Sequence, residues 1–269
     1  MNTESVNEKT TLISDSSTED VLYMINDEDA LVPGIVRNLI PKISLLVDEA
    51  VKAVKNGGKI VYCGAGTSGR LAVADAAECP PTYGADPEMI SAVIAGGIGA
   101  IVNASEGCED SEKAAKDAFI SKNIKKGDVV IGISASGNAP FVATFMAEAK
   151  KAGCFVGAIV NNEGTKMAKI ADLTIESLTG AEVIKGSTRM KAGTSQKLIL
   201  NMFSTAFFIK SGYTYKNYMV NMVTSNTKLK KRAVTMVSEI LGLDFEKSGQ
   251  LLSENGWNVR RAINAYDKE

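Results

Sequence analysis

KIVYCGAGTSGR, residues 59–70, decides the fold. A short apolar run, residues 59–63, leads directly into a loop with glycines at Gly64, Gly66 and Gly69, and a helical pattern opens at Leu71. A buried strand feeding a Gly-rich turn and then a helix is the start of a βαβ unit. The rhythm repeats downstream. Residues 90–95 read as a second strand and 111–119 as a helix; 128–133 (DVVIGI) read as a third strand, followed by the loop SASGN, residues 134–138. Pro140 suits the first turn of a helix over 141–152. Residues 155–160 and 173–176 are further strands. Apolar strands alternating with helices predict an α/β fold, a doubly wound parallel sheet covered on both faces. Ligands of such sheets bind beyond the carboxyl ends of the strands, where both Gly/Ser loops fall.

Upstream, residues 1–17 read as an extended polar arm, and Ser17 offers an N-cap to a helix beginning at about Val21. Apolar residues at helical spacing between Asp29 and Lys55 predict one helix stopped by Gly57-Gly58. Downstream, residues 187–210 read as one long helix ended by Ser211-Gly212. The composition then shifts to charged residues with sparse apolar anchors at Leu251, Leu252, Trp257, Ala262 and Ile263. The expected division is a sheet domain over 1–225 and a small three-helix appendage over 226–269.

Composition narrows the chemistry. The chain has 269 residues, 45% of them hydrophobic, and a formal net charge of −1, so no basic excess marks a nucleic-acid partner. A polar, acidic start predicts no signal peptide, and the apolar runs are shorter than the roughly 18 residues a membrane helix needs. Cytoplasmic location follows as the expectation. The four cysteines form no CxxC pair, so neither a metal cluster nor a disulfide framework is expected. There is no histidine at all. That removes Ser-His-Asp and Cys-His nucleophile systems and HExxH zinc sites, and leaves proton transfer to Asp, Glu, Lys, Tyr or Cys.

Gly64, Gly66 and Gly69 also match GxGxxG, a dinucleotide fingerprint. That reading needs an acidic residue at the end of the next strand, whereas Asp86 and Glu88 precede it. The stronger reading is an anion loop. Thr67 and Ser68 in one loop, and Ser134 and Ser136 beside Gly137 in the other, offer hydroxyls and backbone N–H groups at helix N-termini. Two such loops can hold a phosphate and the sugar beside it, although Ser and Gly also serve simply as caps. Glu78 in AAECPPTYG and Glu109 in SEGCEDS are candidate acids, and Pro80-Pro81 is expected to end the helix that carries Glu78.

At these residues the chain resembles the N-acetylmuramic acid 6-phosphate etherases, a sugar-isomerase-domain family. The resemblance is carried by INDED (residues 25–29), GAGTSGRL, AECPPTYG, IAGG (94–97), EGCEDS, SASG and GAEVIKGSTRMKAGTSQK (180–197), the last also a signature of glucokinase regulatory protein. It implies a sugar-isomerase domain with a small ubiquitin-associated-like helical tail. It further implies cleavage of the C3 lactyl ether of an amino-sugar phosphate, with no cofactor and no metal. The family's catalytic acid falls on Glu78 and its second carboxylate on Glu109; the sequence itself does not order the two. Substrate contacts map onto Thr67, Ser68, Ser134, Ser136 and Gly137, with Glu182, Ser187 and Lys191 as lesser candidates for which helix capping and packing are equally good readings. A homodimer is implied, because the related regulatory protein carries two such domains in one chain. The competing class is a non-catalytic sugar-phosphate sensor that regulates a partner. Aldose–ketose isomerisation is a third reading, disfavoured by the intact ECPPT and EGCEDS blocks.

Overall fold

The computed structural model describes residues 2–221 and 226–266. Residues 222–225, at which the sequence reading placed its domain boundary, lie outside the described residues, as do Met1 and 267–269. The chain divides into two compact units, residues 1–77 with 87–207, and residues 78–86 with 208–269. The second unit thus begins earlier than 226 and also takes in a short piece of the middle of the chain.

The first unit holds a five-stranded sheet of β1 (Ile60–Gly64), β2 (Ile90–Ile94), β3 (Val129–Ser134), β4 (Phe155–Val160) and β5 (Leu173–Glu176). The order is β2-β1-β3-β4-β5 and every pairing is parallel. The α/β expectation therefore holds. The order reverses between β1 and β3, which opens a crevice beyond their carboxyl ends.

Helices precede and cover the sheet. The amino-terminal ones are α1 (Thr18–Asp29), α2 (Val32–Arg37) and α3 (Ile40–Lys55). The single helix expected over 29–55 is two, because Pro41 stands in the first turn of α3 and cannot donate to a preceding turn. After β1 comes α4 (Gly66–Tyr83), after β2 the short α5 (Gly99–Val102) and α6 (Glu112–Ser121). Then follow α7 (Pro140–Lys151), α8 (Lys166–Ile170) and α9 (Lys191–Lys210). One face of the sheet packs Val61, Cys63, Val130, Val156 and Val160 against Phe141, Phe145, Met146 and Ala149 of α7, Ala115 of α6 and Met167 of α8. On the other face, Leu46 of α3 reaches over Gly157, and Tyr62 meets Phe203 of α9 edge-on with ring centroids 6.1 Å apart. Both faces are buried, which is why the strands read as unbroken apolar runs.

Two expectations about the chain's course are corrected. The arm over 1–17 is not extended; it forms three 3-10 turns, Asn2–Glu4, Glu8–Thr10 and Ile13–Asp15, with Thr3 and Thr10 buried. Nor do Pro80 and Pro81 end α4. The helix runs on to Tyr83, and the Gly84 N–H still donates to the Pro80 carbonyl at 2.8 Å. Proline removes its own donor, so the loss falls on carbonyls one turn back and not on the turn ahead.

In the second unit, Tyr83 stacks on Phe208 with centroids 4.1 Å apart, and Phe208 meets Tyr213 edge-on. A two-stranded ribbon, β6 (Thr214–Tyr215) with β7 (Tyr218–Met219), leads to α10 (Thr227–Leu241), α11 (Phe245–Glu254) and α12 (Val259–Tyr266). Val220, Ala233, Met236, Val237, Leu252, Val259, Ala262 and Ile263 form their small core. Lys230 lies 4.6 Å from the centre of the Trp257 ring.

Candidate functional site

The two Gly/Ser loops leave the carboxyl ends of β1 and β3, the adjacent strands that flank the crevice. At the first, the chain turns at Gly66 and α4 begins at once, so its first N–H groups lack helical acceptors and face outward. Gly69 is needed for close approach. A Cβ there would sit 2.6 Å from the Ile94 side chain and 2.9 Å from the Gly64 carbonyl oxygen. The third glycine of GxGxxG thus seats the helix against β1 and β2. Thr67 is half-buried and Ser68 is buried, both in the first turn of α4.

The second loop is built by its own hydroxyls. Ser134 Oγ accepts from the Gly137 N–H at 3.1 Å, and Ser136 Oγ accepts from the Asn138 N–H at 3.2 Å. The two hydroxyl oxygens stand 3.3 Å apart. Gly137 has φ +65°, and a Cβ there would lie 2.5 Å from the Thr165 side chain. Asn138 Oδ1 accepts from the Lys166 N–H, which joins the loop to the start of α8.

Behind this loop lies a polar network with no signature in the sequence. Asn161 donates through Nδ2 to the Ser177 carbonyl at 2.8 Å and to Ser195 Oγ at 2.9 Å, and its Oδ1 accepts from Gln196 Nε2 at 2.9 Å. Asn162, 2% exposed, donates to the Ala135 carbonyl and to Thr3 Oγ1, each at 2.9 Å. Asparagines after a strand carry no periodic signal, so only their burial reveals them.

The segment before α9 also differs from expectation. The long helix starts at Lys191, not Ser187. Glu182, fully buried, accepts from the N–H groups of Lys191 and Ala192, both at 2.9 Å, and so caps α9. Burial raises its carboxyl above the usual range, partly opposed by those two N–H groups and the Lys191 charge. Each of its oxygens takes one of these N–H groups, so Glu182 holds the start of α9 in place. Lys191 is 2% exposed, and its ammonium pairs with the buried Glu28 of α1. It too is a fold-holding group as the chain stands. Burial would push the Glu28 carboxyl up, but hydrogen bonds and charge from Lys191, with Lys9 and Asn7, hold it below its ordinary value. The segment does reach the first loop: a Cβ on Gly193 would lie 3.4 Å from the Thr67 methyl group. Ser187 is half-buried in the turn before α9.

Of the two glutamates, Glu109 belongs to the same unit as the loops. Glu109 is exposed on a 3-10 turn, Cys108–Asp110, after β2. Its loop folds back on Gly96, where a Cβ would meet Ser105 Oγ at 3.1 Å and Cys108 Sγ at 3.2 Å. Arg70, at the end of the first Gly loop, donates to the carbonyls of Ile101 and Asn103 and anchors the same stretch. Glu78 is exposed on α4 and belongs to the second unit. Two of the thiols are held protonated: burial pushes Cys63 up, and burial with the Asp128 charge pushes Cys154 up to about 11. Among the described residues, no group of three or more Cys, Asp or Glu converges to hold a metal ion.

One further carboxylate shapes α4. Asp75 accepts from Tyr62 Oη and from Ser204 Oγ, both at 3.0 Å. Burial pushes it up to about 6 from 3.8, with Ser204, Tyr62 and Lys197 pulling the other way. Between those two pH values the folded chain keeps a proton the unfolded chain has lost. Stability therefore falls as pH rises through that window, by up to about 3 kcal/mol, and is level above it. Asp75→Asn removes this dependence. Urea unfolding should show the variant gaining on the parent by about that amount between pH 4 and pH 7; a difference that does not change with pH would contradict the assignment.

Comparison with known proteins places the chain first in a class. Residues 42–150 match the family model "Glucokinase regulatory protein N-terminal SIS domain", and residues 105–206 match "SIS domain". Solved structures of phosphoheptose isomerases share the fold. The one from Francisella tularensis has a TM-score of 0.53 at 18% identity, covering 71% of this chain and 98% of its own. The one from Neisseria gonorrhoeae has 0.51 at 19%, covering 70% and 98%. The chain is thus a SIS-domain protein. Within that class, the N-acetylmuramic acid 6-phosphate etherase 1 of Bacillus licheniformis is 44% identical over 263 residues, 98% of this chain and 86% of that protein. The etherases of Symbiobacterium thermophilum (45% identical; 93% of this chain, 83% of that one) and Bacillus subtilis strain 168 (42%; 98% and 86%) agree. The chain belongs to the N-acetylmuramic acid 6-phosphate etherase family.

Proposed function

We propose that this chain cleaves the C3 D-lactyl ether of N-acetylmuramic acid 6-phosphate, giving N-acetylglucosamine 6-phosphate and D-lactate, in the recycling of cell-wall amino sugars. The observation that carries it is the pair of Gly/Ser loops at the β1/β3 crevice in a chain 41–45% identical to etherases over nearly its whole length. Thr67, Ser68, Ser134, Ser136 and Gly137 hold the phosphate and sugar, with Ser187 at the rim; Glu182 and Lys191 fix the start of α9 that flanks them.

An ether oxygen is a poor leaving group, so the reaction needs activation. Ring opening exposes an aldehyde at C1 and acidifies the C2 proton. One carboxylate takes that proton while the C3–O bond breaks. A carboxylic acid protonates the departing lactyl oxygen, leaving a C2=C3 double bond conjugated to the aldehyde. Water then adds at C3 and a proton returns to C2. Glu78 and Glu109 supply the two carboxyls, with Glu78 as the acid by family likeness, and the scheme calls on no histidine, metal or nucleotide. The direct test is incubation with N-acetylmuramic acid 6-phosphate and enzymatic assay of lactate; binding of the sugar phosphate without lactate release would favour the sensor reading instead.

The phosphate is remote from C3, so its contacts stabilise ground and transition states alike. Ser136→Ala should raise KM about tenfold while kcat changes little. A fall in kcat at unchanged KM would contradict the placement. We assign the protein to the cytoplasm, where its four free thiols stay reduced. We also assign it to a homodimer that reproduces the two-domain pairing implied by the regulatory relative, with an isologous contact; light scattering showing an active monomer at micromolar concentration would overturn the pairing.

A further inference from the structure

The Ala135 carbonyl, in the middle of the second loop, is held from two sides. The Asn161 backbone N–H donates to it at 3.1 Å and Asn162 Nδ2 at 2.9 Å. Both lone pairs of that oxygen are used, which fixes the plane of the Ala135–Ser136 peptide. No peptide bond among the described residues is cis. In a planar trans peptide the Ser136 N–H points opposite the Ala135 carbonyl, hence away from Asn161 and Asn162. The N–H groups of Gly137 and Asn138 are turned inward onto Ser134 and Ser136. Of the amides of Ser136, Gly137 and Asn138, that of Ser136 is therefore the one turned away from the loop's own hydroxyls.

Asn162 is itself held in place by the amino-terminal arm. Its second Nδ2 hydrogen goes to Thr3 Oγ1 at 2.9 Å, and its Oδ1 accepts from the Thr3 N–H at 3.4 Å. Without Thr3 the amide is free to rotate, and its hold on Ala135 loosens. The arm is not loosely draped. Thr10 Oγ1 donates to the Val183 carbonyl at 2.8 Å, and the Lys9 ammonium lies 3.4 Å from Glu28. Thr3 is 1% exposed. These ties span 159 and 173 positions of sequence between arm and site.

We propose that Thr3 and Asn162 are positioning residues for anion binding: the amino-terminal arm, acting through Asn162, aims the Ser136 amide at the substrate's phosphate. The inference rests on the reading that the 134–138 loop holds the phosphate. The probes are N-acetylglucosamine 6-phosphate in titration calorimetry and lactate release in steady-state kinetics. Thr3→Val keeps shape and backbone N–H but removes the acceptor for Asn162. It should raise Kd and KM about 5–10-fold, the effect of one buried hydrogen bond lost, with kcat within about twofold. Thr3→Ser should restore both. Adding Thr3→Val to Asn162→Ala should cost nothing more, because the path runs through Asn162. If Asn162→Ala does not fold, the two Thr3 variants decide alone. Unchanged Kd in Thr3→Val, or a loss confined to kcat, overturns the proposal. A parent protein that binds no sugar phosphate would remove the functional reading itself, and this inference with it.

Discussion

Glu78→Gln and Glu109→Gln should each lower the rate of lactate release by about 10²-fold or more, the ordinary scale for loss of a general acid or base. Glutamine keeps the size and hydrogen-bonding reach of the side chain but cannot take or give the proton. Both side chains are exposed, so neither change disturbs the core. The loops that hold the phosphate are untouched, and affinity for N-acetylglucosamine 6-phosphate should stay within about threefold, since a group used only in the transition state leaves ground-state binding alone. The two variants should not multiply: if both protons move in one elimination, the double variant is little worse than the worse single one. Steady-state kinetics with calorimetry separates the two quantities. Near-normal turnover in either variant would remove that residue from the chemistry.

The largest expected effect on stability lies at Lys191. Its ammonium is buried against Glu28, and Lys9, at 3.4 Å from the same carboxylate, is mostly exposed. Lys191→Met leaves the buried Glu28 charge with only that solvent-facing partner, and unfolding free energy should fall by about 3 kcal/mol. Adding Glu28→Gln should recover most of the loss, because no uncompensated charge then remains. The pH dependence has a fixed sign. Lys191 and Lys9 hold the Glu28 carboxyl low, so the pair stabilises the fold above the carboxyl's unfolded pKa, and that contribution fades as pH falls through the folded value. Urea unfolding of the parent and the two variants at neutral and acid pH measures it. A double variant no more stable than Lys191→Met would mean that the lysine acts by packing, not charge.

The sheet was legible because a strand buried on both faces reads as an unbroken apolar run: residues 155–160 and 173–176 are strands to the residue. The two loops were legible as turns because glycine and serine follow directly on such runs. What escaped was whatever depends on partners distant in sequence. Glu182 caps a helix that starts nine positions later, outside any local capping spacing, so the sequence left capping and ligand contact as equal readings. Asn161 and Asn162 drew no reading from the sequence, and every polar atom of both side-chain amides is engaged with partners distant in the chain. The arm read as extended because polar residues without periodicity give no reason to fold; long-range bonds from Thr3 and Thr10 provide one. Pro80-Pro81 read as a stop, whereas a proline pair near a helix's end interrupts only the bonds behind it.

Elimination across C2–C3 followed by addition of water leaves its mark in the fate of oxygen. The parent protein is incubated with N-acetylmuramic acid 6-phosphate in heavy-oxygen water containing deuterium, and both products are analysed by mass spectrometry. Solvent oxygen is expected in the C3 hydroxyl of N-acetylglucosamine 6-phosphate, with deuterium at its C2, and lactate should keep its original ether oxygen. Heavy oxygen in the lactate hydroxyl would mean that the bond on the lactyl side breaks, and would rule out elimination.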